Sequence, residues 1–304
     1  MFAFVTLPHR FVHSVAILGH FRDRECEHPR RPFQWFQTTF CQLLNSQHLG
    51  FLQYVKNFQP QNQEAKAIRV LLFGAVGAGK SSFINSVNNV LQGRMTDEAL
   101  ACAPFSSSFT KKVNISYDSI KIKNYPIVFN DIMGLEEGDG SGIKTEDIKL
   151  ALRGHVKEGY KFNPSSPLSA EDPGYISSPS ISDRVHVLVC IYTANASQMK
   201  QGFLRKMKEI REAASDLGIP QLAILTHVDE ACGETEKNLR SVYKSKYLKK
   251  KMGDFSSSVG IPMNRILPVK NYSKEIELNP DIDTLIMSAL KLMIDFGDDY
   301  AAKL

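Results

Sequence analysis

The chain has 304 residues, 43% of them apolar, enough for a sizeable core in one large domain or two small ones. Its net charge of +5 is dispersed, with only short clusters such as residues 244–251, so it reads as a solvated surface with no specific nucleic-acid-binding feature. Five cysteines, Cys26, Cys41, Cys102, Cys190 and Cys232, form no C-x-x-C pair, the pattern of reduced cytosolic thiols and not of a disulfide framework or zinc site.

In chain order, the first 21 residues are apolar-rich, but Pro8, His9, Arg10 and His13 interrupt them. Neither a signal-peptide core nor a membrane span results, and a cytoplasmic location without membrane contact is expected. An amphipathic surface segment stays open there. Over residues 22–62, Trp35, Phe36, Phe40, Leu43 and Leu44 recur at roughly helical spacing, which predicts one or two helices packed on the domain C-terminal to them. The sharpest change falls near residue 67, dividing a partly helical extension, 1–67, from a main domain, 68–304.

From residue 68 onward, apolar runs of strand length alternate with amphipathic stretches of helix length. Strands are expected at 68–73, 113–117, 127–130, 185–192, 221–225 and 265–269. Helices are expected at 80–91, 145–158, 198–217, 236–252 and 281–296. Such alternation predicts an α/β fold, a doubly wound and mostly parallel sheet of about six strands with helices on both faces. Residues 163–182, rich in Pro, Ser and Gly, read as a surface or switch-adjacent loop.

Residues 74–81 read GAVGAGKS, a G-x-x-x-x-G-K-S pattern between the strand RVLLF and the helix SSFINSVNNVL. That context is what the motif requires to act as a phosphate-binding loop. Gly74, Gly77 and Gly79 let the backbone turn its N–H groups toward phosphate oxygens, with the helix N-terminus adding partial positive charge. Lys80 is suited to the β- and γ-phosphates, Ser81 to magnesium and Ser82 to the α-phosphate.

At the end of the strand YPIVFND, Asp131 to Gly134 give D-x-x-G. Asp131 is placed to hold a magnesium water, and the Gly134 N–H to bond the γ-phosphate. Between the motifs, Thr110 stands three residues before the strand at 113, where a threonine closes onto magnesium when a γ-phosphate is present. A solvated loop threonine is the open alternative, and Thr96 the lesser candidate. Leu135 stands where GTPases of the Ras type have a water-orienting glutamine, so the site reads as better at binding than at hydrolysis. A glutamine introduced at 135 is expected to raise turnover modestly if the pocket has room and Thr110 holds the other side of the attacking water.

After the strand QLAIL come Thr226, His227, Val228 and Asp229, similar to the [N/T]-K-x-D element of GTPases. Asp229 is suited to accept from guanine N1–H and the 2-amino group, whereas adenine would leave the carboxylate unpaired. His227 replaces the usual lysine, with an imidazole to stack on the base. The final strand runs into Lys270, Asn271, Tyr272 and Ser273, where the backbone of such domains meets guanine O6.

Taken together, GAVGAGKSSFINSV, SFTKK, NDIMGLEEG, GHVKEGYKFNP, LTHVD and VKNYS resemble the interferon-induced protein 44 family, over about residues 69–296. The resemblance implies a Ras-like P-loop fold, GTP as ligand, and a role in innate antiviral or interferon responses. It also implies phosphate contacts at Gly77, Ala78, Gly79, Lys80, Ser81 and Ser82, a switch glycine at Gly134, and base recognition at Thr226 and Asp229. Longer members add an N-terminal TLD-type domain, for which 67 preceding residues are too few, so an abbreviated member is expected.

These readings converge on a guanine-nucleotide switch that binds GTP or GDP with Mg2+ and hydrolyses slowly or with help from a partner. No catalytic side chain is assigned. Nucleotide state is expected to order 92–112 and 134–143 into a surface for a protein partner or for self-association. The alternative is a pseudo-GTPase scaffold acting only through protein contacts. An ATPase is disfavoured by Asp229 and by the lack of a glutamate directly after Asp131.

Overall fold

The computed structural model describes residues 48–96, 117–132, 135, 143–163, 165–196 and 199–304. Among these, six strands form one sheet: β1 (Ile68–Gly74), β2 (Tyr117–Lys121), β3 (Ile127–Ile132), β4 (Val187–Thr193), β5 (Gln221–Thr226) and β6 (Ile266–Pro268), in the order β2-β3-β1-β4-β5-β6. The β2–β3 pair is antiparallel and every other neighbouring pair is parallel. This is the Ras-like P-loop α/β fold. The chain adds β2 and β3 on one side of β1 and then crosses to place β4 on the other, so a crevice opens beyond the carboxyl end of β1.

The alternation of side chains along each strand feeds two cores. Val70 and Leu72 of β1 face α1 (His48–Asn57), α2 (Lys80–Gln92) and α7 (Pro280–Ala301), packing with Val55, Phe83, Val87, Ile286 and Leu290. Leu71 and Phe73 face α3 (Thr145–Arg153), α4 (Gln201–Asp216) and α6 (Lys246–Val259), packing with Ile148, Met207, Ile210, Leu248 and Phe255. Each fully buried aliphatic side chain contributes about 1.5–3 kcal/mol relative to exposure, which is why continuous apolar runs such as VLLF form central strands.

Several boundaries differ from the sequence expectation. Tyr117 is the only described residue of the strand expected at 113–117, and β2 runs on to Lys121. Asn124, in the left-handed region at φ 70°, turns the chain there and sets the antiparallel register Tyr117 opposite Ile132. Helix α3 stops at Arg153, not Glu158, because Gly154 at φ 87° ends it. The stretch 236–252 is not one helix. It divides into α5 (Gly233–Lys237), a 3₁₀ turn and α6, whose first turn is capped by Ser245 accepting from the Leu248 N–H.

The segment 163–182 is fixed to the domain instead of hanging free. Leu168 is buried and donates its N–H to Asp147 of α3 at 2.7 Å, and Val156 bridges to Tyr175. On the opposite side, α1 is tied to α7: the Tyr54 hydroxyl donates to Asp295 at 2.7 Å, and Gln61 donates twice to the carboxylate of Asp298. The helical spacing of Trp35, Phe36, Phe40, Leu43 and Leu44 lies outside the described residues. Among the described residues, no helix is long and apolar enough to cross a membrane.

Candidate nucleotide-binding site

The loop between β1 and α2 is held from below and from the side. A Cβ at Gly74 would stand 2.0 Å from the Ile191 carbonyl oxygen of β4, so only glycine lets the two strands run together at this point. Gly79, at φ 91°, precedes α2 with no side-chain cap, and no acidic residue sits in the first turn. The first-turn N–H groups therefore keep their capacity for an anion at the positive end of the helix dipole. The ammonium of Lys80, buried among these turns, folds back onto the loop, donating to Ala75 O at 3.1 Å and Gly74 O at 3.5 Å. Ser82 follows in the first turn of α2 and is half-buried.

Beside the loop, β3 delivers Asp131. The Ser81 hydroxyl donates to Asp131 Oδ2 at 2.6 Å. This is a pair of hard oxygens in the arrangement a magnesium ion needs, one to ligate and one to hold a water or the ligating hydroxyl. Among the described residues no group of three or more His, Cys, Asp or Glu side chains converges. Leu135 donates its N–H to Gly74 O at 3.0 Å, and its side chain is 3% exposed, sunk in the core with Phe73 and Ile148. Thr110 and Gly134 lie outside the described residues. Thr96 is bound to the far end of α2, donating to Asn89 Oδ1 at 2.6 and 2.8 Å. Asn89 is eight residues along α2 from Ser81, about 12 Å at the helical rise, so Thr96 is not a magnesium ligand.

The loops after β5 and β6 close the other side. Thr226, fully buried, donates its hydroxyl to Ala78 O at 2.8 Å; the same oxygen lies 3.0 Å from His227 Nδ1. Tyr192 O stands 3.2 Å from the same hydroxyl, so with its one proton directed at two carbonyls, Ala78 O the nearer, the Thr226 oxygen accepts from the imidazole, and its effect on a base runs through the loop it holds. His227 sits at φ 55°, a left-handed conformation that reverses the chain toward Asp229. Asn271 donates from Nδ2 to Gly79 O at 3.0 Å, while its Oδ1 is buried without a hydrogen-bond partner. Asp229 Oδ2 lies 3.4 Å from Lys270 Nζ, which lies 2.8 Å from Glu275 Oε1. Burial pulls the Lys270 ammonium down, but Glu275 and Asp229 outweigh it and hold it above its ordinary value. Burial pushes Glu275 up, and the bond from Lys270 with those from backbone N–H groups outweighs it, leaving its carboxyl at about 2.

No protein-family model matches the chain. Interferon-induced protein 44-like of Homo sapiens is 32% identical over 249 residues, 81% of this chain and 55% of that protein. Interferon-induced protein 44 of Homo sapiens is 34% identical over 253 residues, 83% of this chain and 57% of that protein. The Mus musculus protein is 33% identical over 258 residues, 83% and 60%. Over most of its length this chain belongs to the interferon-induced protein 44 family. This family member spans about 55–60% of the length of these curated relatives.

Among solved structures, Toc33 from Arabidopsis thaliana, in complex with GDP and Mg2+, has a TM-score of 0.45 at 16% identity, covering 87% of this chain and 94% of that one. A probable GTP-binding protein, engB, has a TM-score of 0.39 at 13% identity, covering 75% and 98%. Likeness at that level says nothing about ligand or mechanism.

A triphosphate with magnesium fits the residues of this family member on two counts: the uncapped helix start faces the loop, and the Ser81–Asp131 pair has the right donor chemistry. Asn271 leaves a buried acceptor beside them, which suits a donor of the nucleoside and not a phosphate oxygen. Such orphan atoms cost about 1–3 kcal/mol and mark where a ligand or water completes a structure. Of the residues named from sequence, the structure brings Gly74, Gly77, Ala78, Gly79, Lys80, Ser81 and Ser82 together with Asp131 on one side and Thr226, His227, Asp229 and Asn271 on the other. Sequence reasoning missed that Lys270 and Glu275 attend Asp229. The only signal was a lysine and a glutamate five apart beyond the last strand, a pattern too common to single out.

Proposed function

We propose that this chain is a guanine-nucleotide-binding switch that takes GTP or GDP with Mg2+ and hydrolyses GTP slowly or with a group supplied by a partner. The observation that supports it best is the double tie between phosphate loop and base loops, Thr226 to Ala78 and Asn271 to Gly79. A loop built only to join strand and helix has no need to be locked to the loop that bears Asp229. In this reading Lys80 leaves the carbonyls of Gly74 and Ala75 for the β- and γ-phosphates, and the turn N–H groups receive the phosphate oxygens. Ser81 and Asp131 hold the metal, which supplies charge neutralisation when bound. Asp229 accepts from guanine N1–H and the 2-amino group, and His227 covers the base. Thr110 and Gly134 are assigned from sequence to the γ-phosphate side, within switch segments that present a surface to a protein partner or a second copy. The extension over 1–67 and the nucleotide-binding domain over 68–304 are the units of that arrangement. A cytoplasmic role in interferon-linked antiviral defence is part of the same reading, drawn from the family.

Competition between GTP, GDP and ATP for a fluorescent guanine nucleotide, at fixed magnesium, tests it. GTP and GDP are expected to displace the probe far better than ATP; equal displacement by ATP overturns the guanine assignment. A second reading, a nucleotide-binding scaffold without turnover, is favoured by one observation, the burial of Leu135. Multiple-turnover phosphate release separates the two, since a scaffold releases none with or without added partner.

A further inference from the structure

The carboxylate assigned to base reading does not stand by itself. Lys270 Nζ bridges it to Glu275, at 3.4 Å from Asp229 Oδ2 and 2.8 Å from Glu275 Oε1, all three side chains being about one-fifth exposed. Glu275 is in turn fixed by the chain it belongs to, its Oε2 accepting from the N–H groups of Ser273 and Lys274 at 3.0 and 3.1 Å. The order of anchoring therefore runs from backbone to Glu275, from Glu275 to Lys270, and from Lys270 to Asp229.

We infer that Lys270, anchored by Glu275, is a positioning residue for guanine recognition, holding the Asp229 carboxylate in orientation and offsetting the cost of covering it with a base. This rests on the guanine reading and adds to it the residues that set selectivity. A carboxylate has about four lone-pair sites. The contact at 3.4 Å is longer than a charge-assisted bond of about 2.7–2.9 Å, so Lys270 steers Asp229 without saturating it. Oδ1 and the second lone pair of Oδ2 stay open for two parallel donors, the number guanine offers. Covering a carboxylate with an aromatic base removes water from it, which is costly unless a cation stays beside the charge. Glu275 keeps that cation in place and makes the trio net negative, suited to a base edge that only donates.

The test measures dissociation constants for GTP and ATP on the full chain and on Lys270→Met, Lys270→Arg, Glu275→Gln and the Lys270→Met/Glu275→Gln double variant. ATP reports the phosphate loop alone. The expected result is a loss of GTP affinity of about tenfold in Lys270→Met, because Asp229 is then covered by the base without its cation, with ATP unchanged. Lys270→Arg, which can still span two carboxylates, recovers most of it. Glu275→Gln keeps an oxygen for the Ser273 and Lys274 N–H groups and loses less, in the same direction. The double variant binds GTP no worse than Lys270→Met, because Glu275 acts through Lys270. Unchanged or tighter GTP binding in Lys270→Met, a parallel loss for ATP, or additive losses in the double variant would each overturn the inference. A parent chain that prefers GTP to ATP while Lys270→Met keeps that preference undiminished sinks this inference alone; a parent with no preference sinks the guanine reading itself.

Discussion

The hydroxyl of Thr226 donates to the backbone carbonyl of Ala78 at 2.8 Å, joining two positions 148 residues apart in the chain. Through that bond the end of β5 sets the shape of the phosphate loop. Thr226→Val keeps the side-chain volume and leaves Ala78 O buried without its donor, a cost of about 1–3 kcal/mol. We expect a lower thermal midpoint and a several-fold loss of affinity for GTP and ATP alike. A variant that matched the parent in both would show that the tie does not organise the loop.

Lys80→Ala removes the side-chain cation folded over the loop carbonyls. Triphosphate binding is expected to fall below detection at micromolar protein, with the fold retained by circular dichroism. Binding of GTP as tight as the parent's at equal magnesium would make the phosphate-loop assignment wrong.

Asp229→Asn exchanges an acceptor for a group that also donates. The amide can give a hydrogen bond to O2 of xanthine where the carboxylate accepted from the guanine amine, so preference should move from GTP toward XTP. Competition between the two nucleotides for one fluorescent probe reads this directly, and an unaltered ratio removes Asp229 from base reading.

Leu135 lies in the core at 3% exposure, so an introduced glutamine would be buried with Phe73 and Ile148 instead of meeting water at a γ-phosphate. The pocket room that a gain in turnover requires is absent at this side chain. We expect Leu135→Gln to leave single-turnover GTP hydrolysis unchanged and to destabilise the fold by about 1–3 kcal/mol for its unpaired amide. Leu135→Ala should cost about 2–5 kcal/mol as a cavity and likewise leave the chemical step alone. A faster turnover in Leu135→Gln would contradict this placement.

His186 is fully buried between β1 and the 3₁₀ turn at Ile181–Asp183, accepting from the Arg69 N–H at Nδ1 and donating from Nε2 to Ile181 O. Burial is the main cause that pushes its pKa down to about 4; the bond to Ile181 opposes it, and Arg69 adds to it. With the folded value below the unfolded one, the unfolded chain binds the extra proton. The contribution is complete above about pH 6.5 and is lost as pH falls toward 4. It amounts to about 3 kcal/mol at most. Thermal midpoints measured from pH 7 to pH 4 should fall more steeply for the parent than for His186→Gln; equal slopes would locate the acid sensitivity elsewhere.

The architecture was legible in the sequence, and candidate site residues could be named from it, because both readings rest on local patterns. Apolar runs such as VLLF can only be central strands when helices cover both faces, and GAVGAGKS between a strand and a helix has one well-known chemical use. Helix ends were less legible where a single glycine set them, as Gly154 did, since its left-handed backbone competes with a periodicity that continues beyond it. Relations between loops distant in sequence emerge only from the folded chain. That Thr226 spends its hydroxyl on Ala78, that Asn271 reaches Gly79, that Leu135 faces the core and that Lys270 joins Asp229 to Glu275 all depend on which strands become neighbours. The order β3-β1-β4-β5-β6 places the carboxyl ends of β1, β3, β5 and β6 around one crevice, and hydrogen bonds a few ångströms long are fixed only once that order is set.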